Sequence, residues 1–255
     1  MKKYLLALLF AALTVPTLAQ ADNHLSTTVT LASNYIFRAM SYNSQGTVYQ
    51  SQGSPVVQAS LDYVHNLSNT AFSNTNDTLG ASFFTGPADT FNTVTVAMEK
   101  DTEEDTFLTY NKVVNSDVVL GLGYNYYAFG KNVNNDMGEW AVTGSYKTLS
   151  FLSSYIDNFS GVATNYNHTI LTWKPVITGK LGLDLHLAHT YFKNPDAVAT
   201  TSYYDYQAGV VASVDGFTTE IAYTNTFGRT NLVTGQYAMQ DGTFTVTLSK
   251  TFSIL

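Results

Sequence analysis

A few charged side chains stand at alternate positions within segments whose polarity changes from one residue to the next. In an extended strand, alternate side chains point to the same face of the sheet. The titratable residues that this spacing assigns to the polar face are Arg38, Asp62, Glu139, Asp184, His186 and Glu220. Such a set can filter solutes by charge in a water-filled passage, or Arg38 can pair with a carboxylate and brace the wall. Both roles stay open for Arg38.

His186 and His189 lie three positions apart, a short spacing that suggests a shared metal ion. Three positions apart on a strand, however, their side chains point to opposite faces and cannot chelate one ion together. We expect His186 on the polar face with Asp184, and His189 on the apolar face. A serine hydrolase is not indicated either, since no Gly-x-Ser-x-Gly elbow accompanies His168 or His189.

The densest run of charge lies at residues 99–105. Its carboxylates are Glu99, Asp101, Glu103, Glu104 and Asp105. A divalent-cation site needs several carboxylate oxygens at about 2.3–2.6 Å from the ion. The run has no glycine for a turn and lacks the ligand order of an EF-hand, so we expect a solvated acidic loop. A weak metal site in this loop is the alternative.

The composition excludes several classes of protein. The chain has 255 residues, no Cys, 12% charged residues and a net charge of -7. Without Cys there is no disulfide framework and no Cys-ligated metal centre. The negative charge disfavours a nucleic-acid binder. A soluble domain carries about 25% charged residues, so the low charge points away from an ordinary soluble protein. No cofactor is predicted.

The only long apolar run is at the N-terminus. Lys2 and Lys3 precede an apolar stretch at residues 4–15, and Ala19-Gln20-Ala21 has the small-x-small pattern of a cleavage site. This layout is typical of a secretory signal peptide. We therefore expect residues 1–21 to be removed and residues 22–255 to form one exported domain.

Most of the remaining chain alternates between apolar and small or polar residues. In residues 181–188 every odd position is Leu, while the even positions are Gly, Asp, His and Ala. Segments of about 10 residues with this pattern are typical of transmembrane β-barrels. The aromatic residues that we expect to form girdles at the membrane interfaces are Tyr124, Tyr126, Tyr127, Tyr191, Phe192, Tyr203, Tyr204 and Tyr206. The fold class is therefore all-β, an antiparallel up-and-down barrel in a membrane.

The connections predict the number of strands. Working back from the C-terminus, long and short connections alternate, as they do in outer-membrane barrels. The first three strands are expected at residues 26–41, 56–66 and 78–84. If residues 86–105 form one extracellular excursion, the barrel closes with about 12 strands, an even number. A barrel of about 14 strands is the alternative.

Residues 29–41, Val-Thr-Leu-Ala-Ser-Asn-Tyr-Ile-Phe-Arg-Ala-Met-Ser, are followed by Pro55-Val56-Val57-Gln58. This combination resembles the opening of the TorF family, exported proteobacterial proteins with a porin-like character. The match departs from the family at Ala39, where Gly is preferred, in an enlarged stretch at residues 71–105, and after Phe252, where three more residues follow. The resemblance implies an outer-membrane porin-like protein and no particular substrate.

These patterns together predict a porin-like channel for passive diffusion of small solutes. Four inward acids against Arg38 predict a modest preference for cations. The expected partners are outer-membrane lipid, lipopolysaccharide, the barrel-assembly machinery and small solutes. A structural or surface-interaction barrel without an open pore is the alternative, and a lipid-modifying enzyme is less favoured. The oligomeric state is left open.

Overall fold

The computed structural model describes residues 23–37, 40–42, 55–67, 77–92, 97–130, 136–157, 165–194, 202–227 and 242–255. The long strands are β1 (His24–Ala32), β4 (Val56–Asn66), β5 (Thr78–Asn92), β6 (Ala97–Val113), β7 (Val118–Phe129), β8 (Met137–Tyr146), β9 (Leu149–Ile156), β10 (Tyr166–Trp173), β12 (Leu181–Phe192), β13 (Tyr203–Val214), β14 (Phe217–Phe227) and β15 (Thr243–Ser253). Three short strands are β2 (Tyr35–Phe37), β3 (Met40–Tyr42) and β11 (Val176–Thr178). The predicted signal peptide lies outside the described residues.

The long strands form a closed antiparallel barrel. Each pairs with its neighbours along the chain, β10 pairs with β12, and β15 pairs with β1 from Ser26↔Ser253 to Ala32↔Thr247. The short β11 adds to β12, and β2 and β3 form a separate two-stranded sheet. Within the closed wall of 12 strands, no strand edge is left with unpaired backbone groups, which hydrocarbon does not tolerate. The predicted count of 12 spanning strands is confirmed.

The outer face of the barrel is apolar and exposed. On β7 and β8, for example, Leu120, Leu122, Trp140 and Val142 are each at least half exposed. An apolar band of this kind is the lipid-facing surface of a membrane barrel. The described residues contain no helix that is long and apolar enough to cross a membrane.

The two ends of the barrel differ in their connections. At one end, two residues join β8 to β9 and two join β13 to β14. In the second of these turns Asp215 and Gly216 have φ angles of 53° and 77°, the left-handed pair that a two-residue hairpin requires. We call this the short-turn end, and the opposite one the long-loop end. In outer-membrane barrels, short turns face the periplasm and long loops face outward.

The expected excursion at residues 86–105 is not a loop. β5 and β6 pair continuously from Thr78↔Asn111 to Asn92↔Ala97. The neighbour β4 pairs with β5 only as far as Thr85, and β7 pairs with β6 only as far as Glu103. Residues 86–92 and 97–102 therefore form a hairpin that extends the wall at the long-loop end without adding a spanning strand. Pro87 fits there because β5 has become an edge strand, which tolerates a residue without an N–H group.

Two further boundaries differ from the prediction. The first strand ends at Ala32, and β2 begins after Ser33 and Asn34. Ser33 still contacts β15, since its hydroxyl accepts a hydrogen bond from the Val246 backbone N at 2.9 Å. The third strand continues beyond residue 84 to Asn92. The alternation between polar and apolar residues is weak in both places, so the ends of these two strands were predicted wrongly from the sequence.

Not all of the predicted girdle aromatics face lipid. Tyr124, Tyr126, Tyr191, Tyr204 and Tyr206 share the outer face with exposed apolar residues. The prediction is wrong for three buried residues on the inner face, Tyr127, Phe192 and Tyr203. Residues adjacent along a strand point to opposite faces, so clusters such as Tyr126-Tyr127 necessarily divide between lipid and lumen.

Candidate functional site

Acidic residues are spread over the inner wall of the barrel. On this face, opposite the exposed apolar residues, the described strands carry Asp62, Glu103, Asp105, Glu139, Asp184, Asp205 and Glu220. His186 lies on the same face, whereas Arg38 lies outside the described residues. Whether these side chains line an open pore stays a prediction.

One group of polar residues spans β10 to β14. Nζ of Lys174, just after β10, lies 2.5 Å from Oδ2 of Asp184 on β12. Nε2 of His186 lies 3.2 Å from Oδ1 of Asp205 on β13. These contacts link the end of β10 to β12 and β12 to β13, since Asp184 Oδ2 is paired with the Lys174 ammonium group and Asp205 Oδ1 lies within hydrogen-bond distance of the His186 ring.

Glu220 on β14 extends this group. Gln207 Nε2 donates to Glu220 Oε1 at 3.1 Å, and Thr224 Oγ1 donates to Gln207 Oε1 at 3.2 Å. A Cβ atom added at Gly209 would lie 2.7 Å from Glu220 Oε1. The glycine therefore leaves the space that the Glu220 carboxylate occupies. We call the residues of these three sets of contacts, which lie on the inner face between the end of β10 and β14, the β10–β14 network.

A second acidic group lies across β6, β7 and β8. Glu103, Asp105 and Glu139 are 4%, 3% and 1% exposed. Tyr127 donates its hydroxyl proton to Glu139 Oε2, and Asn125 Nδ2 donates to the same oxygen at 3.3 Å. We call these three acids with Tyr127 and Asn125 the β6–β8 acidic group. It is separate from the β10–β14 network on the opposite part of the wall.

The expected solvated acidic loop is therefore wrong for Glu103 and Asp105. Both lie on β6 with their side chains buried, while Glu104 between them is exposed. The cause is the alternation of a strand, which sends neighbouring carboxylates to opposite faces. The side chains of Glu99 and Asp101 are outside the described residues. Among the described side chains, no three His, Asp or Glu residues are placed to hold a metal ion.

Asp62 belongs to neither group. Its two carboxylate oxygens accept hydrogen bonds from the hydroxyls of Ser60 and Ser82, each at 3.1 Å. These serines lie on β4 and β5, beside Asp62 on the same inner face. The carboxylate is thus held by neutral donors close to the strands that carry it.

The histidines separate as their spacing predicts. His186 is in the β10–β14 network, whereas His189 packs against Tyr204 on the outer face with ring centroids 4.5 Å apart. His168 is inside the barrel, where Nδ1 lies 3.0 Å from the Thr190 hydroxyl. His186 and His189 of β12 therefore lie on opposite faces of the wall and do not contact each other.

Apolar side chains also occupy the interior. Nine buried residues form one cluster: Phe84, Phe107, Tyr127, Phe129, Met137, Ile156, Tyr166, Phe192 and Tyr203. Most of them lie at the ends of strands that face the long-loop end. We call this set the inner apolar cluster. It places aromatic surface inside the barrel near the long loops, next to the β6–β8 acidic group.

Asp205 and the inner apolar cluster were not predicted from the sequence as site residues. Glu103 and Asp105 were predicted only as weak metal ligands in a loop, not as residues of the inner wall. The alternation of polarity along β13 could have indicated Asp205, because Asp205 lies on the same face as Gln207 and Gly209, whereas the tyrosines on either side of it lie on the other face. For Glu103 and Asp105 the alternation was hidden by the high density of charged residues around them, which is typical of a solvated loop.

Solved structures resemble this barrel, although no protein-family model and no curated protein matches the chain. The COG4313 outer membrane channel from Pseudomonas putida F1 superposes with a TM-score of 0.58 at 10% identity, covering 92% of this chain and 97% of that one. The chain has the fold of an outer-membrane channel.

Two other channel structures support this fold. The KdgM porin has a TM-score of 0.51 at 10% identity and covers 89% of this chain and 99% of its own. The Pseudomonas putida toluene transporter TodX has a TM-score of 0.50 at 8% identity and covers 92% and 90%. At these identities the outer-membrane channel fold is shared, while the solutes named for those proteins remain theirs. Membership of the TorF family stays a prediction.

Proposed function

We propose that the protein is a porin-like channel of the outer membrane through which small solutes diffuse, with a modest preference for cations. The observation that carries this proposal is the acidic inner wall, with carboxylates on β4, β6, β8, β12, β13 and β14. Lys174 compensates one of them, Asp184. The remaining negative charge would concentrate cations and repel anions inside the barrel.

The strength of this preference depends on how far water screens the wall. Charges that are partly removed from water interact more strongly than charges in bulk solvent. Dissolved salt ions screen the interactions between these charges, with a screening length of about 8 Å at physiological ionic strength. Selectivity should therefore be greatest in dilute salt and fall as salt is added.

The proposed location follows from the outer surface and the predicted leader. The exposed apolar band needs lipid around it, and the predicted signal peptide at residues 1–21 would send the chain across the inner membrane. We propose outer-membrane lipid, lipopolysaccharide and the barrel-assembly machinery as its surroundings and partners.

A barrel without an open pore is the second candidate, and the inner apolar cluster favours it. Packed aromatic side chains near the long-loop end would reduce water in the passage, and hydrophobic constrictions can close channels by dewetting. Such a protein would serve a structural or surface role. A lipid-modifying enzyme is a third candidate, which phospholipase and deacylase assays would reveal.

Conductance in planar bilayers separates the first two candidates. Folded protein, identified by heat-modifiable migration on a gel, is inserted between chambers with different KCl concentrations. A porin-like channel gives steps of current and a reversal potential of the sign for cation preference. Anion preference would contradict the assignment of the acidic wall, and a folded protein without current would support the closed barrel.

A further inference from the structure

Asp105 is a buried carboxylate of the inner wall with little compensation. Its side chain is 3% exposed, and Oδ1 has no hydrogen-bond partner among the residues that the structure describes. Among the described residues, the charged groups that act on it are Glu103 and Glu139, which are carboxylates themselves. A buried carboxylate oxygen that is left without a donor is unfavourable. Asp105 is therefore suited to a positive group that comes from outside the chain.

Aromatic rings flank this carboxylate. Tyr127 is the register partner of Asp105 on β7, and Phe107 follows Asp105 on the same face of β6. The rings of Phe107 and Tyr127 meet edge to face, with centroids 6.1 Å apart and planes at 83°. An aromatic face attracts a cation, most of all where water is excluded. The Asp105 carboxylate and the two aromatic rings thus both favour a cationic ligand.

The rest of the neighbourhood suits a ligand with an apolar body. Phe107 and Tyr127 belong to the inner apolar cluster, which continues along the wall through Phe129 and Met137. A bare metal ion would need a shell of oxygen ligands, and the described side chains provide no such group of three. An ammonium or guanidinium group that carries an apolar or aromatic part matches both surfaces.

We propose that Asp105, with Phe107 and Tyr127, forms a binding site for small organic amines inside the barrel. The proposal rests on the proposed channel function, because it names a class of solute for the same passage. The carboxylate would hold the ammonium group by a charge-assisted hydrogen bond, while the apolar cluster would cover the organic part.

The test uses full-length folded protein and benzylammonium chloride as the probe. Binding is measured by calorimetry in non-ionic detergent, and block of the KCl current is measured in bilayers. Benzyl alcohol supplies the ring without the charge, and ammonium chloride supplies the charge without the ring. Benzylammonium should bind more tightly than either. Asp105→Asn should weaken its binding at least about tenfold, the loss expected for one charge-assisted hydrogen bond.

Glu104→Gln is the matched control, because it removes the same charge from the adjacent, exposed position of β6. It should leave benzylammonium binding within about twofold of the unchanged protein. Phe107→Leu keeps apolar bulk but removes a ring, so it should weaken benzylammonium binding more than butylammonium binding. This second variant tests the site should Asp105→Asn fail to fold.

The outcomes distinguish the site from the channel. Benzylammonium binding without any current would contradict the channel and leave the site standing. Cation-selective current without benzylammonium binding would overturn the site alone. Equal binding of the three probes, or binding that Asp105→Asn leaves unchanged, would also overturn it.

Discussion

Lys174 and Asp184 join the end of one strand to the interior of the next. Lys174 follows β10 at the short-turn end, and its Nζ lies 2.5 Å from Oδ2 of Asp184 on the inner face of β12. The Lys174 side chain is 47% exposed, while that of Asp184 is 8% exposed. One partner therefore remains in water while the other is buried on the inner face, so the lysine sets how much negative charge this end of the barrel interior presents.

Removing that lysine should increase cation selectivity. In Lys174→Gln the Asp184 charge loses its partner, and the reversal potential under a KCl gradient should move further in the cation direction. Lys180→Gln is the control, since it removes an equal charge from an exposed residue in the turn between β11 and β12. An equal shift in both variants would show that Lys174 acts only through net charge.

The hydroxyl of Tyr127 should contribute to stability through Glu139. Tyr127→Phe keeps the ring but removes a donor to a buried carboxylate, at an expected loss of about 1–3 kcal/mol. Tyr126→Phe is the matched control, because the Tyr126 hydroxyl donates to Asp136 at 3.2 Å on the exposed face. Urea titration of folding into liposomes measures both free energies of unfolding. A Tyr127→Phe loss no larger than that of the control would contradict the role of this bond.

A charge on the outer face should be unfavourable in proportion to its depth. Val142 lies in the middle of β8 and is 55% exposed on the lipid side. Val142→Arg should lower the free energy of unfolding by about 2–4 kcal/mol, the cost of arginine near the bilayer midplane. Val176→Arg places the same charge in β11 at the short-turn end, so its effect should be smaller. Equal effects in liposome titrations would mean that the membrane boundary is misplaced.

The C-terminal strand should be sensitive at its last aromatic. Phe252 faces Thr27 of β1 across the closure of the barrel, and Phe252→Ala should lower the amount of heat-modifiable folded protein. Deletion of residues 253–255 should have a smaller effect, although the backbone N of Ile254 donates to Leu25 O at 2.8 Å. A larger loss from the deletion would show that the backbone bonds beyond Phe252 hold the closure more strongly than the aromatic side chain.

Much of the fold could be predicted because its main signal is local. The face on which Leu120 or Asp184 lies depends on counting by two along one strand, and the lipid and the lumen select different residue types for the two faces. The number of strands followed from the alternation of connection lengths. The signal failed at residues 86–92 and 97–102, where the strands of a protruding hairpin pair with each other and neither lipid nor lumen imposes a pattern.

The type of wall, apolar outside and acidic inside, therefore came from residue types and their spacing. The contacts between particular side chains did not, because they depend on the register in which two strands are paired. His186 meets Asp205, and Glu139 meets Tyr127, only because neighbouring strands are paired at one particular offset. The inner apolar cluster arises in the same way, from the ends of several strands brought together by closure of the barrel. The two-residue repeat of a strand decides to which face of the wall each side chain points. Closure of the barrel decides where along the barrel axis the side chain lies and which side chains it contacts on that face.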